Sequence, residues 1–303
     1  MLRSFLLYLS ERESLKQLLT RFAVGRRLAS RFIAGEEVED AVRAIRQLHA
    51  EGFMVTLDHL GESVHEAVEA EAACQVYVEL LDRLAAESLD SHVSIKLTQL
   101  GLAIDEALAR RHLGLIAERA AGHRNFVRVD MEGSAFTEAT LRVFRAVDAP
   151  PDVVGIAVQA YLHRTEADVE ELLKCGARLR LVKGAYQEPP EIAFSRKRDV
   201  DRNFQKLTEK LLGSGVYHAI ATHDDRMIAA TEQFARGHGI GAENFEFQLL
   251  FGIRRQLQRE LLKQGWRVRV YVPYGREWYP YFMRRLAERP ANLLFLMRNL
   301  FRA

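Results

Sequence analysis

Cysteine is scarce in this sequence, and long apolar runs are missing. Only Cys74 and Cys175 occur among 303 residues, which argues against a disulfide framework or a cysteine-rich metal site and fits a reducing compartment. No apolar run approaches the ~18 residues that a transmembrane helix needs. The N-terminal FLLYLS is too short for the apolar region of a signal peptide, and no small-residue cleavage site follows it. We therefore expect a cytoplasmic protein.

The sequence also lacks an excess of charge of one sign. Its 43 basic and 41 acidic residues give a formal net charge of +2, so no broad field favours nucleic acid, and no nucleic-acid partner is expected. It contains no Pro- or Ser-rich linker, low-complexity tract or long repeat. With 48% apolar and 28% charged residues, the composition is typical of a globular protein with a substantial core.

Two kinds of segment make up the chain. Residues 1–51 show the apolar spacing of helices, as at Leu15, Leu18 and Phe22. Later, short β-branched or apolar runs predict eight strands at 53–58, 92–98, 126–131, 154–161, 178–186, 218–223, 245–250 and 267–274. Helical segments separate the strands, and several helices end in glycine shortly before the next strand, at Gly52, Gly176, Gly215 and Gly265.

This alternation predicts the fold class. Eight strand–helix units over roughly 250 residues favour an α/β protein built as a (βα)8 (TIM) barrel rather than an open sheet. We expect residues 1–51 to form an N-terminal helical segment that packs on the barrel. Residues 52–303 would form the catalytic barrel domain and a C-terminal helix. Thr165 and Asp168 have the spacing of a capping box after the fourth strand.

Polar residues end most of the predicted strands. They are Asp58, Lys96, Asp130, Gln159, Lys183, Thr222, His223, Gln248 and Tyr271. Arg180 lies inside the fifth strand, two residues after Arg178, so both should point to the same side. Buried polar groups in apolar strands are costly unless they are paired or used. Because barrel active sites form at the carboxyl ends of the strands, this set predicts a functional site there.

A second candidate feature is the segment GREWYPYFMRRLAERP at 275–290, which should form the last barrel helix, beginning near Glu277. At about 100° per residue, Arg284 and Arg285 lie on either side of Tyr281. Two guanidinium groups around a tyrosine suit a carboxylate with an apolar body. A surface helix with two solvated arginines is the alternative.

Two other patterns in the sequence do not predict a binding site. Glu62, His65, Glu66 and Glu69 share one helical face and resemble metal ligands, but a solvated face is the preferred interpretation, so no metal is expected. The glycines of GHGIGAEN at 237–244 do not form G-x-G-x-x-G and precede a strand. A Rossmann-type phosphate site is therefore not supported.

Taken in order, the motifs resemble those of proline dehydrogenases, both the small monofunctional bacterial flavoenzymes and the catalytic domain of bifunctional proline-utilisation proteins. The resemblance runs from about residue 50 to the end and rests on LDHLGE, SIKLTQLG, VRVDMEGS, VQAYLHRT, LRLVKGAY, ATHD, FEFQLLFG and YVPYGREWYPYFMRRLAERP. It implies a distorted (βα)8 barrel with FAD across the strand ends, L-proline as substrate and a membrane quinone as electron acceptor. The latter requires only peripheral membrane contact.

The resemblance also assigns roles to residues. Asp130 matches the active-site aspartate, which would mainly orient Lys96 and other charges, and Arg180 matches the arginine near the reactive flavin nitrogen. The proline carboxylate is assigned to Lys96, Arg284 and Arg285, and the pyrrolidine ring to Leu181, Tyr186, Tyr271 and Tyr281. Flavin contacts are expected from Met131, Gln159, Arg180, Lys183, Gly184, Ala185, Thr222, His223 and Glu288. Glu288 would also position one of the arginines, and Glu62 would pair with Arg284 to close the site.

The implied reaction moves a hydride from C5 of proline to flavin N5 and yields Δ1-pyrroline-5-carboxylate, the first step of proline catabolism to glutamate. The sequence departs from the bifunctional relatives in a shorter connection before the arginine helix and in Gln187, where tryptophan is common, which puts the adenosine end of the flavin site in doubt. Two alternatives stay open at this stage. One is a barrel aldolase or lyase with Lys96 or Lys183 as Schiff-base nucleophile. The other is a non-catalytic scaffold that binds an acidic partner.

Overall fold

A computed structural model describes residues 29–61 and 64–288, without the side chains of residues 286–288. Within these residues the helices are α1 (Val38–Ala50), α2 (Ala67–Ala86), α3 (Glu106–Gly122), α4 (Ser134–Ala146), α5 (Thr165–Lys174), α6 (Lys197–Leu212), α7 (Asp225–Gly237), α8 (Arg255–Lys263) and α9 (Trp278–Glu288). The strands are β1 (Met54–His59), β2 (Ser91–Ile95), β3 (Val127–Val129), β4 (Val154–Gln159), β5 (Leu179–Val182), β6 (His218–Ala221), β7 (Phe245–Leu250) and β8 (Val268–Tyr274).

The eight strands form one closed parallel barrel in chain order. Val55 of β1, for example, is in register with Ser91 of β2 on one side and with Val270 of β8 on the other. The predicted (βα)8 barrel and all eight strand positions are confirmed. The fifth strand is shorter than predicted, because the chain leaves the sheet after Val182.

Side chains alternate between two environments along each strand. Val55 and Leu57 of β1 have no exposed surface and belong to the apolar core between strands and helices. Thr56 and Asp58 alternate with them and face the barrel interior, where Thr56 Oγ1 lies 3.2 Å from Ser94 Oγ of β2. The interior of this barrel is therefore polar, whereas the layer outside the strands is apolar.

Helix ends follow the predicted glycine signals. Gly52, Gly176, Gly215 and Gly265 all have φ between +69° and +89°. An added Cβ would meet nothing within 4 Å at any of them, so glycine is favoured by the left-handed turn and not by crowding.

The capping box predicted from Thr165 and Asp168 is wrong. No side chain caps the first turn of α5 at its N-cap residue, Arg164. Thr165 Oγ1 instead donates to the carbonyl of Gln159, and Arg164 binds the Asp168 carboxylate with Nε at 2.7 Å. The side chains that the spacing suggested for capping tie the helix to the end of β4 instead.

The segment before α1 supports the C-terminal helix. Phe32 packs against Phe282 of α9, with ring centroids 6.0 Å apart, and Trp278 Nε1 donates to the Glu36 carboxylate at 3.0 Å. The backbone N–H of Gly275 donates to the carbonyl of Gly35 at 2.9 Å. These contacts fix the start of α9 against the barrel. Residues 1–28 of the predicted N-terminal segment lie outside the described residues.

Helix length and hydropathy bear on membrane contact. In residues 29–61 and 64–288, no helix is both long and apolar enough to cross a membrane.

Candidate active site

The ends of β1 and β2 bring a buried ion pair to the barrel rim. Lys96 Nζ donates to both carboxylate oxygens of Asp58, at 2.9 and 3.1 Å, and the two residues are 8% and 1% exposed. Asp58 therefore fixes the direction of Lys96, and the role of Asp130 in orienting Lys96 stays a prediction. Position at a strand end was the only sequence signal for Asp58.

Arg180 crosses the interior and ties four strands together. Its Nη1 donates to Asp130 after β3, Nη2 donates to Ser94 of β2 at 2.8 Å, and Nε donates to Gln248 of β7 at 2.5 Å. The side chain is 4% exposed. Such a buried charge with every nitrogen hydrogen-bonded is held in one orientation.

Asp130 has a second partner in Tyr271 of β8. The Tyr271 hydroxyl donates to Asp130 Oδ2 at 2.8 Å, and the Arg180 guanidinium lies 5.2 Å from the centre of the Tyr271 ring. Burial, and then the negative charge of Asp130, raise the pKa of Tyr271 well above its usual value, so the phenol keeps its proton. Both oxygens of Asp130 are occupied, which suits a carboxylate that positions charges better than one that removes a proton.

The rim between β4 and β6 carries most of the residues predicted to contact the flavin. Gln159 ends β4, is 2% exposed, and donates to the carbonyl of Glu132 at 2.8 Å. Lys183 follows β5 and binds Asp201 and, at 2.7 Å, Asp224. Met131 is buried after β3, and Ala185 is exposed after β5.

Gly184 shapes the turn that follows β5. Its φ is +117°, and an added Cβ would lie 2.2 Å from the Tyr161 ring. Both backbone conformation and space therefore require glycine here. The backbone N–H of Tyr161 donates to the carbonyl of Lys183 at 2.9 Å, which ties this turn to the segment after β4.

Thr222 and His223 follow β6. Thr222 Oγ1 accepts from the backbone N–H of Asp224 at 3.1 Å, at the start of α7. His223 Nε2 accepts from the backbone N–H of Leu250 at 3.0 Å, and its carbonyl accepts from Arg254 at 2.7 Å. These bonds hold the turn after β6 against the end of β7.

Helix α9 begins at Trp278, next to the predicted start at Glu277. Tyr281 is 6% exposed, and Arg284 and Arg285 are half-buried. The Arg285 guanidinium lies 5.0 Å from the centre of the Tyr281 ring. Half-burial and this contact disfavour two fully solvated arginines. Glu62 and the side chain of Glu288, both assigned to the site from sequence, lie outside the described residues.

Leu181 does not fit the role that the resemblance gave it. It is completely buried, and it follows Arg180, whose side chain fills the interior. Since adjacent strand residues point to opposite faces, Leu181 lies in the apolar layer between β5 and the helices, away from the rim. Tyr186, by contrast, is half-buried in the rim segment after Gly184.

Two contributors to the site were missed from sequence. Ser94 binds Arg180, and Glu132 accepts from the backbone N–H and hydroxyl of Thr98 at 3.1 and 2.6 Å. Ser94 could have been found from its position two residues before Lys96 on one strand. Glu132 lies in a loop and has no periodic signal.

The fold and rim together define a (βα)8-barrel enzyme whose active site lies at the carboxyl ends of the strands. The family model for proline dehydrogenase matches residues 41–298. The chain is 43% identical over 298 residues to proline dehydrogenase 2 of Bacillus subtilis strain 168, covering 98% of each chain. It is 38% identical over 303 residues to the proline dehydrogenase of Deinococcus radiodurans, covering 98% of this chain and 97% of that one.

Among solved structures, proline utilization A from Bdellovibrio bacteriovorus, inactivated by N-propargylglycine, superposes with a TM-score of 0.82 at 26% identity. The match covers 87% of this chain and 33% of that one, so the chain spans about a third of the bifunctional protein. The chain belongs to the proline dehydrogenase family. It oxidises proline to Δ1-pyrroline-5-carboxylate, and the family is flavin-dependent. The family and activity expected from the sequence motifs are confirmed, which leaves the lyase and scaffold alternatives unsupported.

Proposed function

We propose that the flavin is FAD, held without a covalent bond across the rim between β4 and β6, and that reduced enzyme passes its electrons to a membrane quinone. The donor set supports this. Gln159, Arg180, Lys183 and Thr222 offer amide, guanidinium, ammonium and hydroxyl donors, which suit the oxygen-rich edge of an isoalloxazine and a pyrophosphate. When bound, the flavin accepts the hydride from proline C5.

The observation that carries the proposal is the fixed guanidinium of Arg180. Three partners, Ser94 on β2, Asp130 after β3 and Gln248 on β7, hold it in place. A buried positive charge that needs no reorganisation stabilises negative charge developing beside it. We assign this role to Arg180 toward the ring system.

The substrate carboxylate would bind to a separate group of cations. Lys96 directly follows β2, whereas Arg284 and Arg285 belong to α9. Bidentate guanidinium contacts and one ammonium suit a carboxylate. Tyr271 and Tyr281 supply rings for the apolar body of proline, and packing of this helix against the barrel would exclude water during the reaction.

The charges of the site also favour separate groups of residues for the flavin and for the proline carboxylate. Lys96, Arg180, Arg284 and Arg285 are cationic, whereas Asp58 and Asp130 are the acids paired with Lys96 and Arg180. The two arginines of α9 are separate from these two pairs, and their guanidinium groups suit a substrate carboxylate. Asp130, with both oxygens engaged, orients Arg180 and Tyr271 in this scheme.

Acid denaturation of the purified protein tests the cofactor assignment. All of the flavin should enter the supernatant and co-migrate with FAD on chromatography. Flavin that stays with the polypeptide, or that migrates as FMN, would contradict the proposal. A soluble quinone should reoxidise the proline-reduced enzyme much faster than dioxygen does, and equal rates would argue against a quinone acceptor.

Lys183 offers a matched test of the flavin cradle. Lys183 and Lys197 bind the same two carboxylates, Asp201 and Asp224, but the Lys183 side chain is 24% exposed and that of Lys197 is 70% exposed. Lys183→Met should weaken FAD binding about ten-fold or more, the loss of one charge-assisted contact. Lys197→Met should leave FAD binding unchanged. Equal effects of the two variants would place Lys183 in a surface network only.

A further inference from the structure

A buried chain of hydrogen bonds leads from the base of the barrel to Arg180. Glu246 and Gln248 are two residues apart on β7, so both side chains face the interior. Gln248 Nε2 donates to Glu246 Oε1, and Gln248 Oε1 accepts from Arg180 Nε. Glu246 and Gln248 are 1% and 4% exposed, so water does not substitute for either bond.

Glu246 is held as a carboxylate by neighbours that are not part of the rim. Arg269 Nε donates to its Oε1 at 2.8 Å, and the Tyr217 hydroxyl donates to its Oε2 at 2.9 Å. Burial opposes the charge, but the positive charge of Arg269 outweighs burial and lowers the pKa of Glu246 to about 2. At neutral pH this side chain can therefore only accept hydrogen bonds.

Because the Glu246 carboxylate can only accept hydrogen bonds, the side-chain amide of Gln248 can adopt only one orientation. The NH2 end must face the carboxylate, so the carbonyl oxygen must face Arg180, whose Nε can only donate. A reversed amide would set donor against donor at Arg180 and acceptor against acceptor at Glu246, both in a buried site. The bond to Nε also restricts rotation of the Arg180 guanidinium. The two Nη contacts restrict the same rotation.

We infer that Glu246 is a positioning residue that acts through Gln248 to orient the guanidinium of Arg180. The inference rests on the proposed role of Arg180 in the reaction. Neither Glu246 nor Gln248 is needed to bind the proline carboxylate, which Lys96, Arg284 and Arg285 would hold. Loss of either should slow the chemical step more than it weakens binding.

Four variants separate these roles in the purified holoenzyme. Arg180→Met removes the guanidinium. Gln248→Leu removes the link, and the paired change Glu246→Met with Arg269→Met removes the carboxylate together with the arginine that donates to it. Tyr217→Phe is the matched control, because it removes a bond to the other oxygen of the same carboxylate.

We expect Gln248→Leu to lower kcat about ten-fold with a less than two-fold change in the KM for proline, because a misplaced guanidinium weakens stabilisation of the transition state. The paired change should lower kcat about three-fold and have no further effect in the Gln248→Leu background, since both act through one contact. Tyr217→Phe should leave kcat unchanged. If the paired variant does not accumulate, Glu246→Met alone replaces it in the same comparison.

A second readout does not depend on turnover. The Arg180 Nε–H resonance, identified by its loss in Arg180→Met, should exchange with water slowly in the wild type and at least ten-fold faster in Gln248→Leu and the paired variant. The inference would be overturned if the losses of kcat from Gln248→Leu and from the paired change multiplied when the two were combined. It would also be overturned if Gln248→Leu changed neither kcat nor the exchange rate. Full kcat in Arg180→Met would overturn the proposed role of Arg180 itself, and the inference with it.

Discussion

The Lys96 ammonium bridges both oxygens of the Asp58 carboxylate, at 2.9 and 3.1 Å, in a position from which solvent is almost excluded. A buried pair of this kind contributes little net stability but is costly to break. It presents a cation at the rim whose direction is fixed before substrate arrives. Mutation of this pair can therefore distinguish its contribution to the stability of the fold from its contribution to substrate binding.

Lys96→Met should lower the free energy of unfolding by about 3–5 kcal/mol, because Asp58 is left buried without its partner. Asp58→Asn combined with Lys96→Met should regain most of that stability but not the affinity for proline. Chemical denaturation and the KM for proline measure the two effects. Recovery of the KM in the double variant would show that Lys96 does not bind the substrate.

The arginines of α9 should govern proline binding. Arg285→Met should raise the KM for proline steeply at normal flavin content, with a loss of roughly 2–4 kcal/mol in kcat/KM from one charge-assisted contact. Arg276→Met is the control on the preceding loop, because that arginine is exposed and pairs with Glu37 at 2.6 Å. A similar KM in both variants would assign the α9 arginines to another partner.

Tyr281 should restrict the substrate. Its ring is buried, and its centre lies 5.0 Å from the Arg285 guanidinium. In the proposed site, a hydroxyl on C4 of proline would meet this ring, whose face supplies hydrogen bonds poorly. We expect a strong preference for L-proline over trans-4-hydroxy-L-proline, and Tyr281→Ser should narrow it, chiefly by slowing proline turnover. The ratio of kcat/KM for the two substrates measures this. An unchanged ratio in the variant would mean that Tyr281 does not face the substrate ring.

Acid should destabilise the barrel through His218. Its Nδ1 accepts from the backbone N–H of Leu179 at 3.0 Å, and burial, then the charges of Arg128 and Arg178, lower its pKa from 6.5 to about 3. The folded state therefore resists a proton that the unfolded chain accepts. Stability from this group is complete above pH 6.5 and is lost between pH 6.5 and 3, at up to about 1.4 kcal/mol per pH unit.

His218→Asn, whose Oδ1 can still accept from Leu179, should flatten this dependence. Denaturant unfolding of both proteins at pH 8, 6 and 5 gives the comparison. Equal slopes in wild type and variant would show that His218 contributes nothing to acid sensitivity.

The barrel and much of its rim could be predicted from the sequence, because both depend on the order of short segments along the chain. Short β-branched or apolar runs, helical segments and glycines at helix ends predicted β1–β8, and Lys96, Asp130 and Gln159 lie at the strand ends where the sequence placed them. Pairing across the barrel did not follow. That Asp58 binds Lys96 depends on the register of β1 with β2, which the sequence pattern leaves open.

The other differences between the sequence predictions and the structure arise from the direction in which side chains point. The resemblance assigned Leu181 to the pyrrolidine ring, yet strand alternation turns its side chain to the side opposite Arg180. Thr165 and Asp168 have the spacing of a capping box, but nearby partners, the Gln159 carbonyl and Arg164, take their side chains. Residue spacing alone does not predict either outcome, because each depends on which groups the fold brings close to the side chain.

The visible absorption spectrum of the purified protein, recorded with and without L-proline in the absence of oxygen, tests the central claim most directly. The rim described above should hold flavin beside the substrate, so the protein should be yellow and proline should bleach it. Arg180→Met should retain the colour and bleach far more slowly. A colourless protein that takes up no added FAD, or a yellow one that proline leaves unbleached, would contradict the account.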